Sequence, residues 1–441
     1  MRTVAFWLSL VLIFVIPWEE SMTLSSMGTI SRITGFLVAA FWLLTVVVTG
    51  RFRKPRPVHY VILLFFLLNA VSFFWTIDPE SSAAAVETYL QMAIFILIFW
   101  DLYTTPEAVR VGLQAYVLGA YVAIGSLTVN FLSGSQATYG RYSAQGWNPN
   151  TIALVLALGV PVAFYLGASE VKSKKAQVLR LVNYAYIPAA AFAISLTASR
   201  SAMLATLPAL VFGAATFVRL KFFPRVLILI ILIGALYALP SLIPQSSIER
   251  LATTADEISS GDLSGRVPIW RQGLEVFAEH PLIGIGRFAY PAAIESGRAA
   301  HNTFLGILVE LGVIGLLLFG IVLVMVFYHA IRQPKWDSRF WLTTLLVWTI
   351  GNLTLSWAHK KPTWLFLSLL VVAASVSAQR VESRRGSQAP VKSPGLFKGN
   401  RDEASEAKPV ASGAGSRSID SGGKLPFRRD TSPDSQHISY R

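Results

Sequence analysis

The sequence predicts an all-α protein, a polytopic transmembrane helical bundle of about 12 spans, with one large polar loop between spans 9 and 10. Three observations carry this. Apolar runs of about 18–22 residues recur along most of the chain, each long enough to cross a bilayer core. The composition is 54% hydrophobic and 14% charged, with a mean hydropathy of +0.54, which is far too apolar for a soluble domain of 441 residues. The runs are continuous rather than alternating, which excludes a membrane β-barrel.

The spans follow in order, and the charges between them set the topology. Arg2 precedes the first span, 3–18, and the acidic Glu19-Glu20-Ser21 follows it. Span two, 30–50, ends at the strongly basic Arg51-Phe52-Arg53-Lys54-Pro55-Arg56, and span three, 57–77, ends at the short acidic Asp78-Pro79-Glu80. Spans four and five, 83–101 and 110–133, lead to a polar loop running from Tyr139-Gly140-Arg141-Tyr142-Ser143 to Asn148-Pro149-Asn150. Span six, 149–168, is followed by Lys172 to Lys175 and Arg180. Spans seven and eight, 181–198 and 201–218, are joined by Thr197-Ala198-Ser199-Arg200-Ser201, and Arg219 to Arg225 precede span nine, 226–242. After the polar segment 243–300, His301-Asn302 opens span ten, 302–329. Arg332 to Arg339 lead into span eleven, 339–357, and span twelve is 362–378. If the spans alternate, every strongly basic loop falls on one side, the cytoplasm by the positive-inside rule, and both termini lie there.

Two regions result: a membrane domain, 1–378, which includes the loop 243–300, and a tail, 379–441, rich in Ser, Gly, Pro, Lys and Arg. The tail cannot bury enough apolar surface to fold alone and is expected to be a disordered basic cytoplasmic segment. Residues 1–18 read as a retained span rather than a signal peptide, because no clear small-x-small cleavage site follows them. Cysteine is absent, which excludes disulfides, thiolate metal sites and a cysteine nucleophile. The formal charge of +14 points to anionic lipid head groups on the cytoplasmic side and a phosphorylated ligand outside rather than to nucleic acid.

The polar segment places Arg250, Arg266, Arg271, Arg287 and Arg298 on the face opposite the basic loops, against the usual charge bias. A guanidinium offers a planar fork of donors that suits a phosphate-bearing ligand at the bilayer surface. Arg200 reads either as such a group or as a snorkelling arginine at a helix end. Arg266 and Arg271 read as ligand-binding groups or as the solvated face of an amphipathic surface helix from Ser264 to Glu279. His301, at the start of a very apolar helix, reads as a neutral imidazole able to accept a proton, or as an interfacial anchor. Glu310, nine residues on, is a second candidate base or a buried carboxylate bonded to a neighbouring helix. His280, followed by Pro281, reads as a turn residue. Asn69, Asn130 and Asn352 fit helix–helix hydrogen bonding. No GxxxxGK[ST] loop, HExxH pair or acidic cluster occurs in the outward segments, so phosphate chemistry would use arginines, with no metal and no cofactor.

At this point the residues resemble a known family. The pattern His, then Asn/Ser/Gln, nine residues, Gly, two residues, then Gly/Thr/Tyr marks O-antigen ligases and related enzymes. Here it reads His301-Asn302, nine residues, then Gly312-Val313-Ile314-Gly315. The Ser199-Arg200 turn, the Gly265-Arg266…Trp270 helix and His280-Pro281-Leu282-Ile283-Gly284-Ile285-Gly286 are similar too, as is the loop between spans nine and ten, across roughly residues 30–378. The resemblance implies a glycosyltransferase in the bacterial inner membrane with its site facing the periplasm. Its donor would be a glycan on undecaprenyl diphosphate and its acceptor lipid A–core or a lipid-linked glycan. Arg200 and Arg266 match the arginines that hold the diphosphate, and His301 matches the essential histidine. His301 is then the first candidate for general base and Glu310 the reserve, in a metal-independent inverting displacement. Arg141, Arg271, Arg287 and Asn302 are candidates for sugar or phosphate contacts.

Within this resemblance the chain reads as a ligase, with an O-antigen or exopolysaccharide polymerase as the alternative, since the motifs are common to both. A transporter is the alternative from another class. Its usual marks, internal repeats and ionisable groups at mid-membrane, are not visible here.

Overall fold

The computed structural model describes residues 1–24, 28–138, 140–169, 173–217 and 265–387, with scattered helical positions between 222 and 249. The expected ninth span, 226–242, most of the tail and the first part of the polar loop lie outside the described residues.

The protein is all-α. The long helices are α1 (Arg2–Val15), α2 (Ile30–Thr49), α3 (Pro57–Val71), α4 (Pro79–Leu102), α5 (Pro106–Leu132), α6 (Pro149–Gly167), α7 (Lys174–Leu196) and α8 (Arg200–Phe217). After the polar loop come α9 (Arg266–Glu279), the short α10 (Tyr290–Ala293), α11 (Thr303–Ile331), α12 (Lys335–Asn352) and α13 (Lys361–Ser387). The only strands among the described residues are two-residue ones, Thr23–Leu24 and Gly28–Thr29, paired antiparallel. Ten helices among the described residues are long and apolar enough to cross a membrane. α12 falls outside that set; its first turns carry Lys335, Asp337 and Arg339.

Boundaries differ from expectation where charge was read as loop. Lys174, Lys175 and Arg180 lie inside α7, whose N-cap Ser173 accepts from the Ala176 amide. Long basic side chains do not stop a helix, since their stems lie along it and their heads reach water. α12 ends at Asn352 rather than at 357, leaving 353–360 irregular, and α13 runs past 378 to Ser387.

α6 and α13 are the most buried spans, each with 78% of its apolar window covered. α6 packs on α5, α7, α8 and α12, and α13 on α4, α5 and α11. An aromatic cluster fills the junction of α3, α4, α11 and α13: Phe65 lies 5.2 Å from Phe319 and Phe66 4.4 Å from Trp364 between ring centroids. The three asparagines divide. Asn352 accepts the Thr303 hydroxyl at 2.6 Å and so joins α12 to α11. Asn69 donates to its own helix at Phe65, and Asn130 ties a loop carbonyl, that of Ser143.

The two ends of the bundle are chemically distinct. At one, the buried Asp101 carboxylate accepts from the Arg53 amide (2.8 Å) and the Trp42 indole (3.1 Å) and pairs with Arg2 (2.9 Å). At the other, Lys361 pairs with Glu19 at 2.6 Å and Lys360 with Glu20 at 3.4 Å. The polar segment docks at this second end.

Candidate active site at the polar-loop end of the bundle

Four arginines from four separate segments meet around one cavity of about 470 Å³. Arg141 comes from the α5–α6 loop, Arg200 from the start of α8, Arg266 from the start of α9 and Arg298 from the approach to α11. His301 completes the wall, and among the described residues no Asp or Glu lines it. Of the residues expected to act, the structure brings Arg141, Arg200, Arg266 and His301 together.

Each is placed by local backbone chemistry. The Arg141 side chain is buried and clamped: Nε donates to the Thr197 carbonyl at 2.8 Å and Nη2 to Asn150 Oδ1 at 2.6 Å. That ties the α5–α6 loop to the α7–α8 turn. Arg266 is the first residue of α9, entered through Gly265 at φ 74°. α9 lies against α11, and its Trp270 indole donates to the Ala300 carbonyl at 2.8 Å, one residue before His301. The Tyr290 hydroxyl donates to the Ile269 carbonyl at 2.9 Å and fixes the inner face of α9.

Backbone strain concentrates here. Among the described residues, the non-glycine residues with positive φ are Ala198 (46°), Phe288 (66°) and His301 (48°). Ala198 and His301 both line the arginine cavity. Such conformations cost on the order of 1–3 kcal/mol each and persist where the surroundings over-determine them.

The electrostatics favour an anion. Four guanidinium groups, with no carboxylate in the lining among the described residues, give this wall a positive bias. The same field acts on His301: burial, then Arg266 and Arg298, push its imidazole below the ordinary value, so it is neutral at neutral pH. Neutrality was expected from the helix N-terminus, but burial and the two arginines account for it.

Glu310, Arg287, Asn302 and Arg271 are not part of this lining. Glu310 and Arg287 form a buried ion pair at 2.5 Å and lie outside the arginine lining. Asn302 caps α11, its side chain accepting from the Phe304 (3.0 Å) and Leu305 (3.1 Å) amides. That role was legible, because Asn before an apolar run is an N-cap signal. Arg271 is exposed on α9. Arg298, noted in the sequence among the outward arginines but given no role of its own, also lines the cavity. It follows Ser296-Gly297 in a turn and carries no periodic signal of its own.

The glycines of the His301 motif have a backbone task. Gly312 breaks α11 with φ 65° and ψ −167°. Into the break fits the segment Pro281–Gly286: the Val313 and Ile314 amides donate to the Pro281 (2.9 Å) and Leu282 (3.2 Å) carbonyls. In return the Ile285 and Gly286 amides donate to Val309 (3.2 Å) and Glu310 (2.9 Å). A Cβ on Gly312 would lie 2.2 Å from the Leu282 backbone, and one on Gly284 2.4 Å from the Glu310 backbone.

Residues 185–320 match the family model described as O-Antigen ligase, a span that holds Arg200, Arg266, Arg298, His301, Gly312 and Gly315. The chain is also 25% identical over 321 residues to the exopolysaccharide production protein ExoQ of Rhizobium meliloti (strain 1021), covering 68% of this chain and 71% of that protein. With ten candidate spans among the described residues and the motif residues inside the matched segment, the chain is a polytopic helical membrane protein whose residues 185–320 are similar to the O-antigen ligase family.

Proposed function

We propose that this protein is a metal-independent membrane glycosyltransferase that moves a glycan from undecaprenyl diphosphate onto an acceptor hydroxyl at the periplasmic face of the inner membrane. The observation that carries the reading is the cavity that gathers Arg141, Arg200, Arg266 and Arg298 with His301. In it Arg200 and Arg266 hold the diphosphate, with Arg141 and Arg298 completing the charge. A lipid diphosphate is already a good leaving group, so the enzyme has to position the acceptor and stabilise the departing charge. The acceptor oxygen bonds to the anomeric carbon as the bond from that carbon to the diphosphate oxygen breaks. The electron pair leaves with the diphosphate, the hydroxyl proton passes to the neutral His301 imidazole, and the anomeric centre inverts.

Two acceptors fit this chemistry. Transfer to lipid A–core makes the protein a ligase, in line with the family description. Transfer to a second lipid-linked glycan makes it a polymerase, which is favoured by the relative named for exopolysaccharide production, similar over 68% of the chain.

The test is to delete the gene and resolve surface and lipid-linked glycans on a gel. Long chains stranded on the lipid carrier identify a ligase, and single repeats identify a polymerase. An unchanged pattern, or full rescue by both Arg266→Ala and His301→Ala, sinks the reading and brings the transporter forward.

A further inference from the structure

A second cavity, of about 330 Å³, has a lining that adjoins the first in sequence: Ala300 lines the second and His301 the first. Its wall differs in kind. Its ionic groups, Arg287 and Glu310, are paired to each other, so the lining carries no net charge from them. Most of the rest is apolar or aromatic, including Phe288, Trp357 and Gly306.

The irregular segment after α12 gives this wall an unusual property. Three of its residues line the cavity and each holds a buried polar atom with no hydrogen-bond partner among the described residues: Ser356 Oγ, Trp357 Nε1 and His359 Nδ1. Unmet groups of this kind are costly, and a cluster of them beside one cavity calls for a partner. All three are neutral at neutral pH. Burial first, then Lys360, Arg287 and Lys361, hold the His359 imidazole well below its ordinary range. The backbone also holds strain here: Phe288 has φ 66°, and its ring stands edge-on to His359 with centroids 5.1 Å apart.

A phosphate has no reason to choose this wall over the arginines next to it. A sugar ring does. Its carbon faces suit aromatic and apolar walls, and its hydroxyls both donate and accept with neutral partners.

We propose that this neutral cavity is the acceptor subsite, binding the sugar that presents the attacking hydroxyl to His301 while the arginine cavity holds the donor diphosphate. The assignment rests on the glycosyl-transfer reading above and deepens it. An inverting displacement needs the attacking hydroxyl and the departing diphosphate on opposite faces of the anomeric carbon, and the consecutive residues Ala300 and His301 belong to the two linings that would hold them. The orphan atoms are buried in residues of the cavity wall, so the Ser356–His359 segment adjusts around the sugar to reach it.

The test uses the full-length protein in nanodiscs, with lipid-linked glycan recovered from a deletion strain as donor. Lipid A–core and the lipid-linked glycan are assayed separately as acceptors, and undecaprenyl diphosphate serves as a product inhibitor. One variant combines Ser356→Ala with Trp357→Phe. A second, Gly306→Leu, fills the cavity from a site where an added Cβ meets only Ala300, at 3.7 Å, so the helix tolerates it. Both are expected to raise the half-saturating acceptor concentration at least tenfold and to leave inhibition by undecaprenyl diphosphate within twofold of wild type. Parallel weakening of that inhibition overturns the assignment, because the cavity then serves the donor or the fold. No change in either quantity also overturns it, since the orphan atoms then hold water only. An Arg266→Ala protein inhibited as strongly as wild type marks a different failure, that of the donor reading on which the subsite rests.

Discussion

The Glu310 carboxylate meets the Arg287 guanidinium at 2.5 Å, with both side chains almost fully buried. A pair like this holds the polar loop to α11 from within. Breaking one member leaves an uncompensated buried charge, a loss of about 3–5 kcal/mol. Glu310→Gln is therefore expected to lower the thermal unfolding temperature in detergent and the yield of folded protein. The Glu310→Gln, Arg287→Met double variant should recover part of the loss. If Glu310→Gln melts like wild type yet has lost all transfer, the carboxylate is chemical after all.

His301 should carry the acid limb of the pH–rate profile. Burial, Arg266 and Arg298 depress its proton affinity, so the rate stays level through neutral pH and falls only as pH drops below the imidazole's lowered value. Arg298→Gln removes one of the positive neighbours. Its acid limb should move to higher pH, towards the ordinary histidine value, and a shift the other way would exclude His301 as the titrating base. His301→Ala should slow transfer about 10²–10⁴-fold while undecaprenyl diphosphate still binds.

Arg200→Ala and Arg266→Ala each remove a charge-assisted donor from the same wall. Each is expected to weaken undecaprenyl diphosphate binding at least tenfold, as read by displacement of a labelled lipid in nanodiscs. Lysine at either position should restore only part of the affinity, because a point charge replaces a planar fork.

Gly312→Ala and Gly284→Ala should each loosen the Pro281–Gly286 segment, since both add a Cβ within 2.4 Å of main chain at a positive φ. Limited proteolysis of intact membranes should cut the loop faster in these variants. Gly320→Ala, with open space around its Cβ, should behave as wild type.

Hydropathy alone was enough to read ten of the helices, because a membrane span needs a long apolar run and little else conceals one. Reading was poorer where spans meet charge: α7 begins at Lys174, well before its apolar run, and α12 stops at Asn352. The candidate site was half legible. Arg141, Arg200, Arg266 and His301 stood out because each was a polar group on an unexpected face. The Arg287–Glu310 pair did not, since it depends on the loop folding back across the break in α11, which no periodicity records. Arg298 stood among the outward arginines without a role of its own, and the wall at 356–359 fell across the expected end of a span at 357.

At the break itself, the Pro281–Gly286 segment meets α11 through main-chain hydrogen bonds, and this separates architecture from specificity. Leu282 and Ile285 supply a carbonyl and an amide that any residue could supply, whereas Gly284 and Gly312 have no substitute. Descendants of this chain can thus redecorate both cavities and inherit new sugars while the frame that presents His301 stays as it is.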